Sequence, residues 1–294
     1  VPTVKVKDSD IVTDKEKGSG DTTGKGKAFY IILSVNPYKL LPVGFPDPEV
    51  TPLHHPYVLP EISLRLMQAT QVNKEYMEHN CIIAGKGVME GGTVVIDKDY
   101  IPPVQRVCHD GRLMSFLDVF RKHVQSLYDY SLAVFRKNVR DSRRDRLMDN
   151  TFTLCNAVQR FYVMHIFDLK HLAPEQPPVH LVQMANEFAV SLQTVLRTMP
   201  EKETEYLLQY YQEWTNVSPA DFQQALDEVE NIGYRHTDMR PSLQSVDSLM
   251  KTLEKVFKKM GELEYVGLMR ENIILSEDSD GSVSEERQTK HMWD

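Results

Sequence analysis

The stretch that decides the fold is DYIPPVQRV, residues Asp99–Val107, which leads into a long amphipathic run ending at Phe135. Before this stretch the sequence has the pattern of strands and polar loops, and after it the pattern is almost entirely helical. The double proline Pro102-Pro103 predicts a stiff, extended connection, because proline fixes its own backbone angle and restricts the residue before it. We therefore predict an α+β chain whose two parts meet near residue 100.

The helical part repeats apolar residues at alternating spacings of three and four, which is typical of the seam of a packed helix bundle. The first predicted helix, residues 112–139, has as its seam Leu113, Leu117, Phe120, Val124, Leu127 and Val134, with Ser131 as the one polar member. Two further helices are predicted before Pro200, and Ser218-Pro219 is a typical helix start. The last helix is predicted from Ser242 to Met260, with Gly261 as its stop.

The β-rich part contains three segments with strand patterns. Phe29–Val35 predicts a buried strand. In Ile62–Ala69 the residues Ile62, Leu64 and Leu66 alternate with Ser63, Arg65 and Met67, which predicts a half-buried strand. Residues 81–96 predict a hairpin that turns at Gly91-Gly92. Residues 36–60 contain seven prolines, and we interpret them as an irregular, extended strap. The predicted fold is a β-sandwich-like N-terminal domain followed by an antiparallel helical-bundle domain.

Composition limits the classes of function. Hydrophobic residues make up 41% of the 294 residues and charged residues 26%, which is ordinary for a soluble protein. The net charge of −8 argues against a general nucleic-acid binder. No apolar run approaches the roughly 20 residues that span a bilayer, and three widely spaced cysteines predict no disulfide framework. We expect a cytoplasmic protein.

The chain is predicted to have three parts. Residues 1–100 form a β-rich domain, which we expect to be incomplete at its N-terminus, and residues 101–262 form the helical bundle. Residues 263–294 are acidic and polar and predict a disordered tail. Within the bundle, residues 201–233 have the character of an inserted helical segment with an aromatic stripe.

Three motifs contain residue types that perform chemistry, and none of them predicts a site. The glycines between Gly85 and Gly92 lie between two strands, without the helix N-terminus that receives a phosphate. The adjacent pair His54-His55 does not readily face one metal ion, and no cysteine or carboxylate cluster accompanies it. Cys108-His109-Asp110 is a run of sequence neighbours, whereas catalytic Cys–His pairs are assembled in space. We therefore predict no catalytic residue, metal, cofactor or small-molecule substrate.

One charged cluster leaves two interpretations open. Six basic residues and two aspartates give 6 − 2 = +4 within eleven residues: Arg136, Lys137, Arg140, Arg143, Arg144 and Arg146, against Asp141 and Asp145. The cluster is either a solvated turn between helices or a docking point for an acidic partner.

Several stretches of the sequence resemble a known protein family. DYIPPVQRV before a long helix resembles the junction between the β-sandwich and the helical neck of TssK, a baseplate subunit of bacterial type VI secretion systems. Residues Ala157–Val195 resemble the second and third neck helices, Tyr234–Met239 resembles the start of the last one, and His54–Leu66 is similar to a late sandwich strand. Three features depart from the family: the first sandwich strands are missing, residues 201–233 are inserted, and the head domain has no counterpart beyond Met260.

The resemblance implies a structural role without catalysis. It implies a homotrimer that links wedge subunits of the TssF and TssG type to the inner-membrane complex, in the cytoplasm at the inner face of the inner membrane. No nucleic-acid partner is implied. The alternative that we keep is a non-catalytic helical-bundle adaptor or scaffold of another bacterial assembly.

Two sets of residues are predicted to make these contacts. The apolar surface of the helices exceeds what one intrachain seam needs, and the predicted trimer interface is Leu117, Phe120, Val124, Leu127, Phe161, Phe188 and Leu192. The predicted partner-docking residues come from the strap, the basic cluster and the insert: Tyr38, Leu40, Phe45, Arg140, Arg143, Arg144, Tyr210, Tyr211 and Trp214. For the strap, the competing interpretation is a brace that packs across the sandwich, and for the insert it is an extra layer packed on the bundle.

Overall fold

The computed structural model describes residues 11–12, 28–52, 54–72, 80–90, 93–138 and 145–267. The chain divides into two compact units. The first contains Val1–Gln105 together with the short segment Arg235–Arg240, and the second contains Arg106–Tyr234 together with Pro241–Asp294. The α+β class predicted from the sequence is confirmed.

The first unit is built on one sheet of five described strands. Their bounds are β1 Ile11–Val12, β2 Ala28–Val43, β3 Tyr57–Gln68, β4 Cys81–Glu90 and β5 Thr93–Ile96. The order across the sheet is β1-β3-β2-β4-β5, and all neighbours are antiparallel except β1 and β3. The predicted strand at Phe29–Val35 and the predicted hairpin of residues 81–96 are confirmed.

One face of the sheet is covered by a small core. It consists of Tyr30, Ile32, Met67, Cys81, Ile83 and Tyr100. The segment Arg235–Arg240 is fixed to this unit, because the Tyr100 hydroxyl donates a hydrogen bond of 2.7 Å to the Thr237 carbonyl oxygen. An ion pair of 2.9 Å between Lys86 and Asp238 adds a second attachment.

The predicted strap is wrong. β2 runs on to Val43 and β3 begins at Tyr57, so much of the proline-rich stretch is a paired two-stranded ribbon. Proline is tolerated here because each ribbon strand has one edge without a described partner strand, and the missing N–H of proline can lie at that edge. The strand predicted at Ile62–Ala69 is present, but of its alternating residues Ile62, Leu64 and Leu66 only Leu66 is buried, whereas Ile62 and Leu64 are exposed.

The second unit is a bundle of helices. The six described α-helices are α1 Gly111–Asn138, α2 Arg146–Phe167, α3 Val179–Thr198, α4 Glu201–Thr215, α5 Pro219–Glu230 and α6 Arg240–Glu262. The predicted start at Ser218 is confirmed, because its hydroxyl oxygen accepts a hydrogen bond of 3.0 Å from the Asp221 N–H. The last helix continues one residue past the predicted stop at Gly261, to Glu262. A side chain at Gly261 would approach the Tyr130 carbonyl oxygen to 3.3 Å, so this glycine permits close packing of α6 on α1.

The seam predicted for α1 is confirmed as the buried face of the bundle. Every apolar member is at most 2% exposed, and Ser131 is buried with its hydroxyl donating to the Tyr128 carbonyl oxygen. α1 and α2 are joined by aromatic stacking, with ring centroids 4.0 Å apart for Tyr128 and Tyr162 and 4.5 Å apart for Phe135 and Phe152. Among the described helices, none combines the length and hydropathy that a membrane crossing requires.

Candidate interaction surface

The most unusual surface of the first unit is the ribbon, which we call the arm, residues 36–61. It extends past Ser34, where the pairing of β2 with β4 ends. Nine of its large apolar side chains are between 39% and 96% exposed: Tyr38, Leu40, Leu41, Val43, Phe45, Val50, Tyr57, Val58 and Leu59. At typical side-chain areas they present on the order of 1,000 Å² of apolar surface. The largest apolar patch of a monomer is usually about 300–600 Å², so the two faces of the arm together expose an unusually large apolar area.

Both faces of the arm are apolar. Residues directly opposite one another on paired strands share a face of the sheet. The pairs are Leu40 with Pro60 and Pro42 with Val58 on one face, and Leu41 with Leu59 and Val43 with Tyr57 on the other. No described residue of the first unit buries either set, so the arm offers two apolar faces to a partner.

The connection at the end of the arm is a structured turn. Gly44 has a φ of +98°, and a side chain there would approach Pro56 Cγ to 2.6 Å, so the position requires glycine. The backbone of Asp47 pairs with that of His54, and His55 Nδ1 lies 3.0 Å from the Gly44 carbonyl oxygen. The two histidines therefore contribute to the structure of the turn, as expected for adjacent histidines in a loop.

Polar groups surround the base of the arm. The hydroxyls of Ser34 and Ser63, on opposite strands, are 3.0 Å apart, and Lys39 forms a 2.6 Å ion pair with Glu61. Asn36 lies opposite Glu61, where three extra residues on β2 shift the register. An apolar patch with a polar rim is the usual anatomy of a protein interface.

The structure places the seven residues of the predicted trimer interface inside the bundle of a single chain. Leu117, Phe120, Val124, Leu127, Phe161, Phe188 and Leu192 are each at most 5% exposed. The Phe161 and Phe188 rings, for example, stack with their centroids 4.4 Å apart between α2 and α3. These side chains are core residues, and an interface between copies requires a different surface.

Such a surface exists on α2. Val163, Met164 and Phe167 are 65–69% exposed, and their spacing of one and three residues puts them on one side of the helix. Leu172 and Val179, which follow α2 in the chain, are exposed as well. This apolar face, which no described residue buries, lies on the side of α2 opposite its buried face.

The insert packs as an extra layer of the bundle, which corrects the docking assignment of two of its residues. Tyr210 and Tyr211 on α4 are at most 2% exposed, and burial raises the pKa of both hydroxyls far above the ordinary value for tyrosine. Trp214 is half-buried, with the Lys259 ammonium 5.7 Å from its ring. Only Trp214 of this group has surface left to offer a partner.

Three residues of the basic cluster, Arg140, Arg143 and Arg144, lie outside the described residues. Two of its described members have partners in the bundle. Lys137 Nζ donates to the Gly261 and Glu262 carbonyl oxygens at 2.7 and 3.1 Å, which caps the end of α6. Arg146 pairs with Glu203 at 2.7 Å.

The remaining motifs have structural roles. Side chains at Gly85 and Gly87 would approach Ile31 and Val94 to 3.2 and 2.6 Å, so these glycines permit strand packing. Asp110 of the Cys-His-Asp run binds Arg112, whose guanidinium lowers the pKa of that carboxyl. In the described part of the chain, no three His, Cys, Asp or Glu residues are grouped as a metal site would require.

Sequence reasoning found part of the arm and missed the rest. It named Tyr38, Leu40 and Phe45 as candidate partner-docking residues, but not Leu41, Val43 and the residues of β3 opposite them. The missed signal is the run Tyr57–Leu59, which can pair in register with Leu41–Val43.

Comparisons with known proteins were made on sequence and on structure. No protein-family profile matches the sequence, and no curated protein matches it. Several solved structures do match. One, "Structure of TssK from T6SS EAEC in complex with nanobody nb18", has a TM-score of 0.44 and 17% identity, covering 80% of this chain and 72% of that chain.

Each matched chain is TssK. In the TssK–TssF–TssG baseplate subcomplex of the type VI secretion system, the TM-score is 0.41 and the identity 17%, over 76% of this chain and 68% of that chain. A crystal structure of TssK gives 0.45 and 14%, over 80% of this chain and 52% of that chain. TssK is also the family that the sequence resembles.

Proposed function

We propose that this protein is a structural, non-catalytic subunit of a bacterial type VI secretion baseplate, in a role like that of TssK. In this role it is a trimeric adaptor in the cytoplasm, at the inner face of the inner membrane, that links wedge subunits to the inner-membrane complex. The observation that carries the proposal is the arm, because a two-faced apolar ribbon serves binding rather than catalysis. The TssK-like junction at Asp99–Val107 supports the choice of assembly.

The arm is proposed to bind the wedge subunits of the TssF and TssG type. Its exposed aromatic residues, Tyr38, Phe45 and Tyr57, are of the types that dominate interface energies when buried. A surface on the order of 1,000 Å² compares with the roughly 800 Å² per partner of a standard interface.

The test is a pull-down of the wedge subunits with a variant in which Tyr38, Leu40 and Phe45 are replaced by Ser. The control variant carries Ser at three exposed valines outside the arm: Val95, Val119 and Val190. We expect the arm variant to recover less than a tenth of the wedge and the control variant to recover the wild-type amount. Equal recovery by both variants would refute the arm as the docking surface, and no recovery even by the wild type would favour an adaptor of another assembly.

Self-association is proposed to use the exposed face of α2. Phe167→Asp places a charge on this face without touching the core, because Phe167 is 65% exposed. We expect light scattering to show a trimer for the wild type and for the control Gln224→Lys, and a smaller species for Phe167→Asp. A wild-type monomer at micromolar concentration would contradict the trimer.

A further inference from the structure

Resting on the proposed docking role of the arm, we propose that its partner is a folded protein subunit with an apolar cleft whose two walls differ in length. The short wall covers one face of the arm near its tip. The long wall covers the other face and continues onto the sheet. The arm is thus inserted rather than laid flat.

The length of the long wall is inferred from the alternation of apolar and polar residues along β3. From Val58 to Leu66 its even-numbered residues are all apolar and share one face, which continues through their partners on β2 and β4. This stripe comprises Val58, Pro60, Ile62, Leu64 and Leu66 on β3, Ile31, Leu33, Val35, Leu40 and Pro42 on β2, and Ile82 on β4. At about 3.3 Å per residue its β3 part is roughly 25 Å long. Ile62, Leu64 and Ile82 are 41–62% exposed, so the stripe remains open well beyond the arm.

On the opposite face, the exposed apolar residues of the arm are confined to the tip. Between Leu59 and the core residue Met67 the odd-numbered residues of β3 are polar: Glu61, Ser63 and Arg65. Together with Ser34 and Asn36 they line a polar depression at the base of the arm. A contact that excludes water on this face must end at this depression, because burying these polar groups without hydrogen-bond partners is unfavourable.

Strand addition does not fit the edges of the arm. β4 pairs with β2 only through Ala28–Ser34, and β1 pairs with β3 only at Leu66 and Met67, so both arm edges lack a described partner strand. Pro42 and Pro60, within the paired part of the arm, have no N–H to donate to an added strand. Recognition therefore depends on side chains.

A flat or charged surface fits less well than a cleft. A flat partner would cover one face of the arm and leave the other apolar face in water. Residues 36–61 contain one lysine and three acidic residues, Asp47, Glu49 and Glu61, which gives 1 − 3 = −2. An anionic lipid surface would repel this charge. A protein cleft with apolar walls satisfies both observations.

The alternation of β3 supplies a matched experiment. The stripe variant is Ile62→Gln with Leu64→Gln, and the collar variant, on the other face of the same strand, is Ser63→Gln with Arg65→Gln. Each is measured as the full chain for its affinity towards a purified wedge complex of TssF and TssG type subunits. Because none of the four side chains is buried, thermal unfolding should be unchanged in both variants.

We expect the stripe variant to raise the Kd at least tenfold and the collar variant to change it less than twofold. Ile82→Gln, on a different strand, should weaken binding in the same direction. Equal effects of the stripe and collar variants would contradict the proposal that the two walls of the cleft differ in length. Loss of binding in the collar variant alone would contradict the proposal that the long wall covers the stripe face, because it would place that wall on the opposite face.

Two further variants distinguish failure of this inference from failure of the proposed function on which it rests. Pro42→Ala with Pro60→Ala restores two N–H donors, and a tighter complex in this variant would show strand addition instead of insertion. Leu41→Ser with Leu59→Ser alters the tip alone. If that variant alone binds the wedge normally, the short wall is refuted, and if it loses binding while the stripe variant does not, the long wall is refuted. If both of these variants and the variant with Ser at Tyr38, Leu40 and Phe45 bind normally, the proposed docking function itself is refuted.

Discussion

Leu41 lies directly opposite Leu59 in the arm, and both side chains are exposed. Ile32 lies opposite Ile83 on the same sheet, and both of these side chains are buried. Two apolar cross-strand pairs of similar size thus have opposite environments. The comparison separates residues that stabilise the fold from residues available to a partner.

The first prediction uses these two pairs. Replacing Leu41 and Leu59 by Ser should change the free energy of unfolding by less than about 1 kcal/mol, because surface substitutions usually cost within 0.5 kcal/mol each. Ile32→Ala should cost about 2–5 kcal/mol, since it leaves a cavity in the small core. Urea denaturation measures both, and a cost above 2 kcal/mol for the arm variant would mean that the arm supports the fold.

The second prediction concerns the attachment of the segment Arg235–Arg240. Tyr100→Phe removes the hydroxyl that donates to the Thr237 carbonyl oxygen, which should lower the free energy of unfolding by about 1 kcal/mol. Hydrogen exchange in this segment should become faster. The control Tyr57→Phe alters an exposed tyrosine and should have no effect, so an equal effect of both variants would show that this hydrogen bond does not hold the segment.

The third prediction contrasts two phenylalanines of α2. Phe161→Ala removes a ring buried against Phe188 and should cost about 3–5 kcal/mol of stability. Phe167→Ala removes an exposed ring and should leave stability within about 0.5 kcal/mol of the wild type. Both are measured by urea denaturation. If Phe161→Ala dissociated an oligomer without loss of stability, Phe161 would belong to an interface after all.

The fourth prediction concerns pH. Arg112 holds the pKa of Asp110 below its ordinary value, through hydrogen bonds to the Asp110 carboxylate. Because the pKa is lower in the folded state than in the unfolded state, this stabilisation is present above the unfolded pKa of about 3.9 and is lost as pH falls through the folded pKa.

The variant Asp110→Asn isolates that charge, since Asn can also accept hydrogen bonds at a helix start. Wild type should be more stable than the variant at pH 7, and the difference should shrink as the pH falls below about 3.9. Thermal unfolding across this range checks the expectation. A difference that stays constant with pH would show that the Asp110 charge contributes nothing to stability.

The helices could be predicted from the sequence because their periodicity and caps are local signals. The seam from Leu113 to Val134 and the start at Ser218 are both found in the structure. Periodicity shows which face of a helix is apolar, but not whether the same chain or another covers it. Phe161 and Phe188 were assigned to an interface for this reason, although the chain buries them itself.

The arm could be predicted only in part because proline is a local signal against strands, whereas strand pairing is a long-range property. Pro42 and Pro60 are compatible with the ribbon because each strand there has an edge without a described partner strand. Recognising this requires the order of the strands across the sheet, which the sequence does not show directly. Gly261 illustrates the same limit, since its role depends on the approach of Tyr130.

The most direct test of the central claim is hydrogen exchange of the full chain, alone and in complex with the wedge subunits. The account predicts that binding protects the backbone of Tyr38–Val43 and Tyr57–Ile62, with little change in the buried half of β4. A complex that forms with unchanged exchange in these two segments, and with protection elsewhere, would contradict the assignment of the arm as the docking surface.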